Sequence, residues 1–296
     1  MNAPVVIGIG EILWDLLPEG KQLGGAPANF AYNAMALGAK GCVVSAVRND
    51  PSGKEILEHV RRVGLDPEYI AVEAKYPTGT VSVHVDDAGV PSFVIHEDVA
   101  WDNILLTESA RNLAAVSDAV CFGTLAQRSA TSRKSIHDFL ALVPTNSLCI
   151  FDVNLRQSYY SKEIILESLR RCDLLKLNEQ EFPVIAGILS MEGSDSEILQ
   201  RMIRDYDLKL VALTLGEKGS RLVSPVRDSF MDAPKVAVVD TVGAGDAFTA
   251  ALTVGLLEEL PLRTIHENAT RLAGFVCTQH GAIAEVAAIR QIMGII

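Results

Sequence analysis

Several signatures that would narrow the function at once are missing from this chain. Its five cysteines, Cys42, Cys121, Cys149, Cys172 and Cys277, are odd in number and scattered among apolar residues. None of their spacings suits a metal, so a zinc module is excluded, and reduced core thiols in a cytoplasmic protein are the expectation. No apolar run is long enough to cross a membrane. The start of the chain enters Val5-Val6-Ile7-Gly8 without a basic segment and a long apolar one, so no export signal is expected either. Basic charge is in deficit, with 26 Lys and Arg against 37 Asp and Glu and a net charge of −11. That balance disfavours general nucleic-acid binding, yet leaves room for a local positive site for a phosphate-bearing ligand. A Gly-x-x-x-x-Gly-Lys-Ser/Thr sequence is absent, which argues against a P-loop NTPase. Gly8-Ile9-Gly10 follows an apolar strand, but Gly10-Glu11-Ile12-Leu13 lacks the rest of a Gly-x-Gly-x-x-Gly fingerprint. A Rossmann oxidoreductase is therefore a weak rival. No internal repeat or low-complexity tract interrupts the chain.

What is present is a core-rich α/β pattern. The 296 residues are 49% hydrophobic, enough for one substantial core with a small appendage and too apolar for disorder. Strands are expected at Val5 to Ile9, Cys42 to Val47, Asp118 to Phe122, Leu148 to Phe151, Asp173 to Leu177 and Lys209 to Leu215. Helices are expected at Pro27 to Leu37, Pro51 to Val63, Ser129 to Leu142, Ser161 to Arg170, Ile198 to Tyr206 and Arg263 to Cys277. Strand and helix alternating through short connections predict a layered fold on a mostly parallel sheet. The rhythm breaks after Pro77. Thr78 to Val85 alternates with period two, Asp86 to Gly89 reads as a turn and Pro91 to Ile95 as a second extended run, predicting a β-hairpin. Residues 11–18 read as a shorter extended excursion carrying Asp15.

The most informative stretch is Val238-Val239-Asp240-Thr241-Val242-Gly243-Ala244-Gly245-Asp246-Ala247-Phe248. Val236 to Val239 reads as a buried strand, Gly243, Ala244 and Gly245 as a tight turn, and Asp246 to Leu257 as a buried helix. A small-residue turn at a helix start offers unpaired amides and a partial positive charge to an anion. A carboxylate at Asp246 opposes a phosphate by charge, but is well placed to take a hydroxyl proton before phosphoryl transfer. The plainer alternative makes Asp240 an N-cap and Asp246 an ordinary first-turn acid. Upstream, Gly24-Gly25 is a flexible turn into a helix that carries Asn29. Asp152-Val153-Asn154-Leu155-Arg156 sits at a strand end, where polar side chains can line an open-sheet crevice. Arg156 could neutralise phosphate oxygens there or form a surface ion pair.

Asp240-Thr241-Val242-Gly243-Ala244-Gly245-Asp246 resembles the second signature of the ribokinase-like (PfkB) carbohydrate kinases. Gly24-Gly25-Ala26-Pro27-Ala28-Asn29, with Leu37-Gly38 behind it, resembles their first, and the two stand in the family's order. The likeness runs from Gly8-Ile9-Gly10-Glu11 to Gly281-Ala282. It implies a three-layer α/β/α sandwich formed by residues 1–296 as one kinase domain, with a small β lid inserted at about 11–18 and 77–97. It also implies a homodimer through that lid.

In that family's terms Asp246 would be the general base and Gly243, Ala244 and Gly245 the anion hole. Asp15, Gly24, Gly25, Asn29, Phe93, Asp152, Asn154 and Arg156 would meet a sugar. Lys176, Asn178, Thr214, Gly216, Gly219, Thr270 and Gly281 would surround ATP. Asn178-Glu179-Gln180-Glu181 resembles the Asn-x-x-Glu element, implying that Asn178 and Glu181 organise Mg2+, in part through water; a helix-capping pattern explains the same residues. Asp240 and Val242 would border a monovalent-cation loop suited to K+. Thr270 departs from the asparagine common among relatives, which leaves the adenine contact open. The resemblance is closest to fructokinases, with ribokinase and 2-keto-3-deoxygluconate kinase as alternatives. A catalytically silent regulator that binds sugar or nucleotide is the rival of a different class.

Overall fold

The first apolar run forms β1 (Val5–Ile9), and two short strands follow it, β2 (Leu13–Leu17) and β3 (Gly20–Gly24). The structure is a computed structural model that describes residues 3–17, 20–85 and 91–295. Helix α1 (Ala26–Ala36) carries Pro27 in its first turn, where no intrahelical amide bond is lost. Strand β4 (Lys40–Arg48) leads to α2 (Pro51–Arg62), capped by the Asp50 carboxylate, which accepts from the Gly53 amide at 2.7 Å. Strands β5 (Ile70–Glu73), β6 (Thr80–Val85) and β7 (Pro91–Ile95) come next. Alternation then resumes with α3 (Glu108–Ala114), β8 (Ala119–Phe122), α4 (Ala130–Leu140) and β9 (Leu148–Asp152). It continues through α5 (Lys162–Leu169), β10 (Leu174–Asn178), α6 (Glu181–Ile188), α7 (Asp195–Tyr206) and β11 (Leu210–Thr214). Last come the hairpin β12 (Ser220–Val223) and β13 (Asp228–Met231), then α8 (Ala244–Leu257), α9 (Leu262–Val276) and α10 (Val286–Met293).

Nine strands form one sheet in the order β13-β12-β11-β10-β9-β8-β1-β4-β5. It is parallel from β11 to β5; at the far edge β12 pairs antiparallel with β11, and β13 antiparallel with β12. The central strands are apolar on both faces because helices cover both. Along β1 and β4, Ile7, Ile9, Cys42 and Val44 enter one core, shared with α3 to α7. Val6, Val43 and Val47 enter the other, shared with α1, α2, α8, α9 and α10. The result is the three-layer α/β/α sandwich that the family resemblance implies.

Helix α1 presses hard on β1. A Cβ added at Gly8 would lie 2.1 Å from the Pro27 carbonyl oxygen. Gly8→Ala must push the helix off the strand, and overpacking of this kind costs about 3 kcal/mol. A fall in the urea midpoint with unchanged slope is the expected result.

A second sheet has four strands in the order β3-β2-β6-β7. Asp15 pairs with Gln22 and Val81, and Val81 with Ile95, so these four share one face, which Phe93 joins two residues along β7. Trp14 takes the other face and donates from its indole to the Ser52 carbonyl in α2 at 3.1 Å. The predicted hairpin is present as β6 and β7; its turn at Asp86 to Gly89 lies outside the described residues. Strand β3 extends the appendage beyond the expected 11–18, because its glycine and polar residues become a strand only by pairing with β2.

One expected strand does not form. Val236 to Val239 lies outside the sheet, and Val238 is 63% exposed. Pro234 packs so closely on α9 that a Cβ on Gly274 would meet it at 2.3 Å. The segment therefore follows the helix, held by the Val239 amide on the Cys277 carbonyl at 2.9 Å. Helix α8 also begins at Ala244, two residues before the expected start at Asp246.

Candidate active site

The site grows from the first turn of α8. Gly243, the N-cap, has φ 77°, and a Cβ there would fall 2.4 Å from that of Ala282. Only glycine permits both the left-handed turn and the contact with the Gly281-Ala282 loop. Within the turn the Ala244 amide reaches back to the Thr241 carbonyl at 3.3 Å and the Ala247 amide to Gly243 at 2.9 Å. The amides of Gly243, Gly245 and Asp246 have no partner among the described residues. Of the three residues expected to form an anion hole, Ala244 is thus the one already engaged, and the Asp246 amide stands open beside the other two.

Beneath this turn lies a buried ion pair. Lys176 Nζ and Asp152 Oδ1 are 3.0 Å apart, with side chains 7% and 6% exposed. Thr249, one turn along α8, donates to Asp152 Oδ2 at 3.0 Å. A Cβ on Gly245 would sit 3.0 Å from Lys176 Nζ, so the glycine lets the ammonium approach the helix start. Burial alone would pull the lysine down, but the carboxylates of Asp152, Glu181 and Asp246 outweigh it and hold the ammonium charged.

Asp246 takes no part in capping. Its Oδ2 accepts from Asn29 Nδ2 of α1 at 2.8 Å. The residue is partly open, but its carboxyl lies at the crevice floor, where burial and then the neighbouring Asp152 push it up to about 6; Asn29, Lys176 and Arg156 pull the other way. At neutral pH it is an ionised, poorly solvated carboxylate, the state a general base requires.

The crevice continues past Glu11, Asn154 and Cys121. Glu11, just beyond the end of β1, is 4% exposed, and burial pushes it up to about 7 against the opposing amides and Arg156. It was not among the site residues expected from sequence, although the family likeness begins at Gly8-Ile9-Gly10-Glu11. Glu11→Gln tests its cost. The acid in its folded state binds protons more tightly than in the unfolded chain, so its stabilising contribution is complete below pH 4.5 and lost as pH rises through 7. The variant should gain on the parent over that window, by at most about 3 kcal/mol at pH 8, in denaturation measured across pH.

The other expected sugar contacts gather at this edge. Asp15 packs on Gly24, where a Cβ would meet its Oδ2 at 2.3 Å, and a Cβ on Gly25 would strike the Glu11 carbonyl at 2.4 Å. Burial pushes Asp15 up to about 6, with Arg156 opposing. Arg156 is exposed and has no ion pair among the described residues. Asn154 holds a left-handed φ of 42° at the bend after β9. Phe93 is 54% exposed, and its carbonyl accepts from Gln157 at 2.7 Å, which ties β7 to the loop bearing Arg156. Asp152, by contrast, has both oxygens committed to Lys176 and Thr249.

A second group lies along the carboxyl ends of β10 and β11. Asn178 Oδ1 accepts from the amides of Gln180 and Glu181 at 2.9 Å each. The two Glu181 oxygens accept from the amides of Asn178 and Leu155 at 2.8 Å each. The capping alternative thus describes both side chains as they stand, and a metal would meet them through water. Among the described residues, no three His, Cys, Asp or Glu side chains cluster as metal ligands. Thr214 ends β11, and Gly216 and Gly219 turn the chain with φ 58° and 108°. A Cβ on Gly219 would be 2.0 Å from the Met231 carbonyl. Thr270 is buried in α9 with its hydroxyl 3.5 Å from that of Ser220, so it faces β12. Asp240 does not cap α8. Its carboxylate accepts from Val242 at 3.1 Å and Gly281 at 3.0 Å, tying the two loops together.

A family model described as pfkB family carbohydrate kinase matches residues 19–288. The uncharacterized sugar kinase PH1459 from Pyrococcus horikoshii is 32% identical over 299 residues, covering 94% of this chain and 91% of that one. Its crystal structure in complex with ATP superposes with a TM-score of 0.82 over 97% of each chain. The fructokinase of Salmonella typhimurium is 30% identical over 270 residues, covering 86% of this chain and 85% of the relative. The 2-dehydro-3-deoxygluconokinase of Thermotoga maritima, at 21% identity, shares the fold with a TM-score of 0.85 over 98% of this chain and 99% of that one. With both glycine signatures set at one sheet edge and the family model spanning most of its length, this chain belongs to the pfkB family of carbohydrate kinases.

Proposed function

We propose that the chain transfers the terminal phosphoryl group of ATP to a primary hydroxyl of a sugar, with D-fructose the first choice and ribose and 2-keto-3-deoxygluconate next. The observation that carries this reading is the Asp246 carboxylate standing beside the unpartnered amides of Gly243 and Gly245 at the start of α8. Asp246 takes the hydroxyl proton as the sugar oxygen bonds to phosphorus and the bond to the ADP oxygen breaks. The amides and the nearby Lys176 ammonium stabilise the charge that builds on the transferring phosphoryl oxygens. ATP runs from Gly281 and the Gly216–Gly219 turn toward Gly243. Asn178 and Glu181 would hold the magnesium that accompanies ATP, in part through water, and that ion would offset phosphate charge. The Asp240–Val242 loop is the candidate place for K+.

The sugar lies between the sheet edge and the face of the small sheet that bears Asp15 and Phe93, so that this sheet acts as a lid on a single kinase domain. Closing it would exclude water and limit ATP hydrolysis. Its outer face exposes Leu16 and Val94, 40% and 42%, where a second copy could dock. No helix among the described residues is long and apolar enough to cross a membrane. The five cysteines are free, and Cys42, Cys121 and Cys172 are buried, which suits a cytoplasmic location. Fructose ranks first because of the likeness to the Salmonella typhimurium fructokinase.

The test is coupled ADP release with magnesium-ATP and fructose, ribose, 2-keto-3-deoxygluconate or adenosine. Saturable turnover with one sugar, fructose foremost, is the expected result. Silence across the panel from a folded, ATP-binding protein would contradict the proposal.

A further inference from the structure

We infer that Tyr32 is a positioning residue for the nucleotide, its hydroxyl fastening the loop at residues 281–284 where that loop backs the Gly243 turn. The inference deepens the kinase reading and rests on it. Tyr32 lies in α1, three residues after Asn29, and is 3% exposed. Its hydroxyl donates to the Ala284 carbonyl at 2.6 Å, from a position 252 residues away in the chain. Tyr32 does not line the crevice, so the bond serves no direct contact with the sugar.

Residues 281–284 lie between α9 and α10 without regular structure. Among the described residues they are tied to the body by one hydrogen bond at each end. The Gly281 amide donates to Asp240 Oδ2 at 3.0 Å, and the Ala284 carbonyl accepts from Tyr32. Between these ends Ala282 presses on the N-cap of α8. A Cβ on Gly243 would stand 2.4 Å from the Ala282 Cβ and 2.6 Å from its Cα. The loop is a wall behind the glycine turn, and close-packed surfaces transmit a displacement of one to the other. The lid meets the opposite end of the loop, where Gln22 of β3 rests on Gly281; a Cβ there would lie 2.8 Å from its Oε1. Freeing the Ala284 end therefore leaves the sugar side in place.

Phenylalanine would fill the same space, so what tyrosine adds is a donor. Ala284 is 3% exposed, and its carbonyl has no other partner among the described residues. A buried carbonyl left unpaired is costly, and the loop relieves that cost by moving toward water. Burial and then Glu285 push the phenol up to about 12, so it keeps the proton it donates at neutral pH. A second tie acts farther on. Arg290 Nε of α10 donates to the Ala36 carbonyl at the end of α1 at 3.2 Å. It holds α10 to α1 independently, so loss of the Tyr32 bond frees the loop and leaves the helix after it docked.

The test compares the parent with Tyr32→Phe, which removes one oxygen and keeps the ring, so the variant should fold as the parent does. The first readout needs neither nucleotide nor sugar. In 15N-labelled protein, the order parameters of the Ala282 and Ala284 amides should fall from the rigid range, about 0.85, toward about 0.6. Those of Gly216 and Gly219, in the other nucleotide turn, should stay as in the parent. The second readout is titration calorimetry with magnesium-ATP and no sugar. The Kd should rise by about 3- to 10-fold, the effect of one buried hydrogen bond passed on to the ligand. In steady-state kinetics with the panel's best sugar, the ATP KM should rise with the Kd while the sugar KM stays within about twofold of the parent. A loosened loop with an unchanged ATP Kd would overturn the inference and make Tyr32 a support of the fold alone. Unchanged order parameters, whatever the Kd, would overturn it as well, because the hydroxyl would not be what holds the loop. A parent that binds no magnesium-ATP would overturn the kinase reading and with it the loop's nucleotide role, while the order parameters would still report the bond to Ala284.

Discussion

Asp246→Asn should lower phosphoryl transfer by about 10²- to 10⁴-fold, the range that loss of a general base produces. The amide is nearly isosteric, so the helix start, its open amides and the pocket shape persist. Stability should move in the opposite direction. The parent carboxyl titrates at about 6 when folded, above its ordinary value, because burial and Asp152 disfavour the charge. A raised acid stabilises the fold fully below pH 3.8 and loses that contribution as pH rises through 6. At pH 8 the parent therefore carries a strained carboxylate that the variant lacks. Denaturation at pH 8 should show the variant equal or more stable, by no more than about 2 kcal/mol given the partial solvent contact of the site. At pH 4 that gain should have nearly vanished. A variant that unfolds readily, yet turns over normally in its folded fraction, would make Asp246 an ordinary helix-start acid.

Lys176→Met should damage both stability and turnover. It leaves the Asp152 carboxylate buried with only the Thr249 hydroxyl for company and with the Asp246 charge close by. Removing one partner of a buried ion pair typically costs about 3 to 5 kcal/mol. Turnover should fall by at least about tenfold, because the positive charge under Gly245 is lost and the base becomes harder to ionise. A double variant, Lys176→Met with Asp152→Asn, separates the effects. Its stability should return most of the way to the parent, since no unpaired charge remains, while its turnover stays low. Recovery of both would reduce the pair to a structural element.

The parallel sheet was legible because strands buried on both faces read as continuous apolar runs, and helices closed by Gly38 and Gly64 separate them. The glycine turn before Asp246 was legible for a related reason. Small residues at a helix start serve few purposes besides close approach, and the structure shows that approach at Gly243 and Gly245. Where the reading failed, the deciding partner lay far off in the chain. Val236 to Val239 is apolar enough for a strand, but Pro234 binds the segment to α9 and away from the sheet edge. Strand β3 has no strand-like composition and forms only against β2. The bond between Asn29 and Asp246 was illegible for the same reason, since the two are 217 residues apart. Asn178 and Glu181 mark a different one. Four residues that cap a helix and four that organise a metal share a local pattern, and the bonds in the structure satisfy the first.

The proposed reaction is direct transfer of phosphoryl from ATP to a sugar, with Asp246 as the base. It is tested most directly by 31P NMR of the parent and Asp246→Asn, each mixed with magnesium-ATP and fructose at pH 8. The parent should convert the terminal phosphate signal of ATP into a sugar phosphomonoester signal in step with ADP. The folded variant should leave ATP nearly unchanged over the same time. Inorganic phosphate in place of the sugar ester, or equal ester formation by the variant, would contradict it.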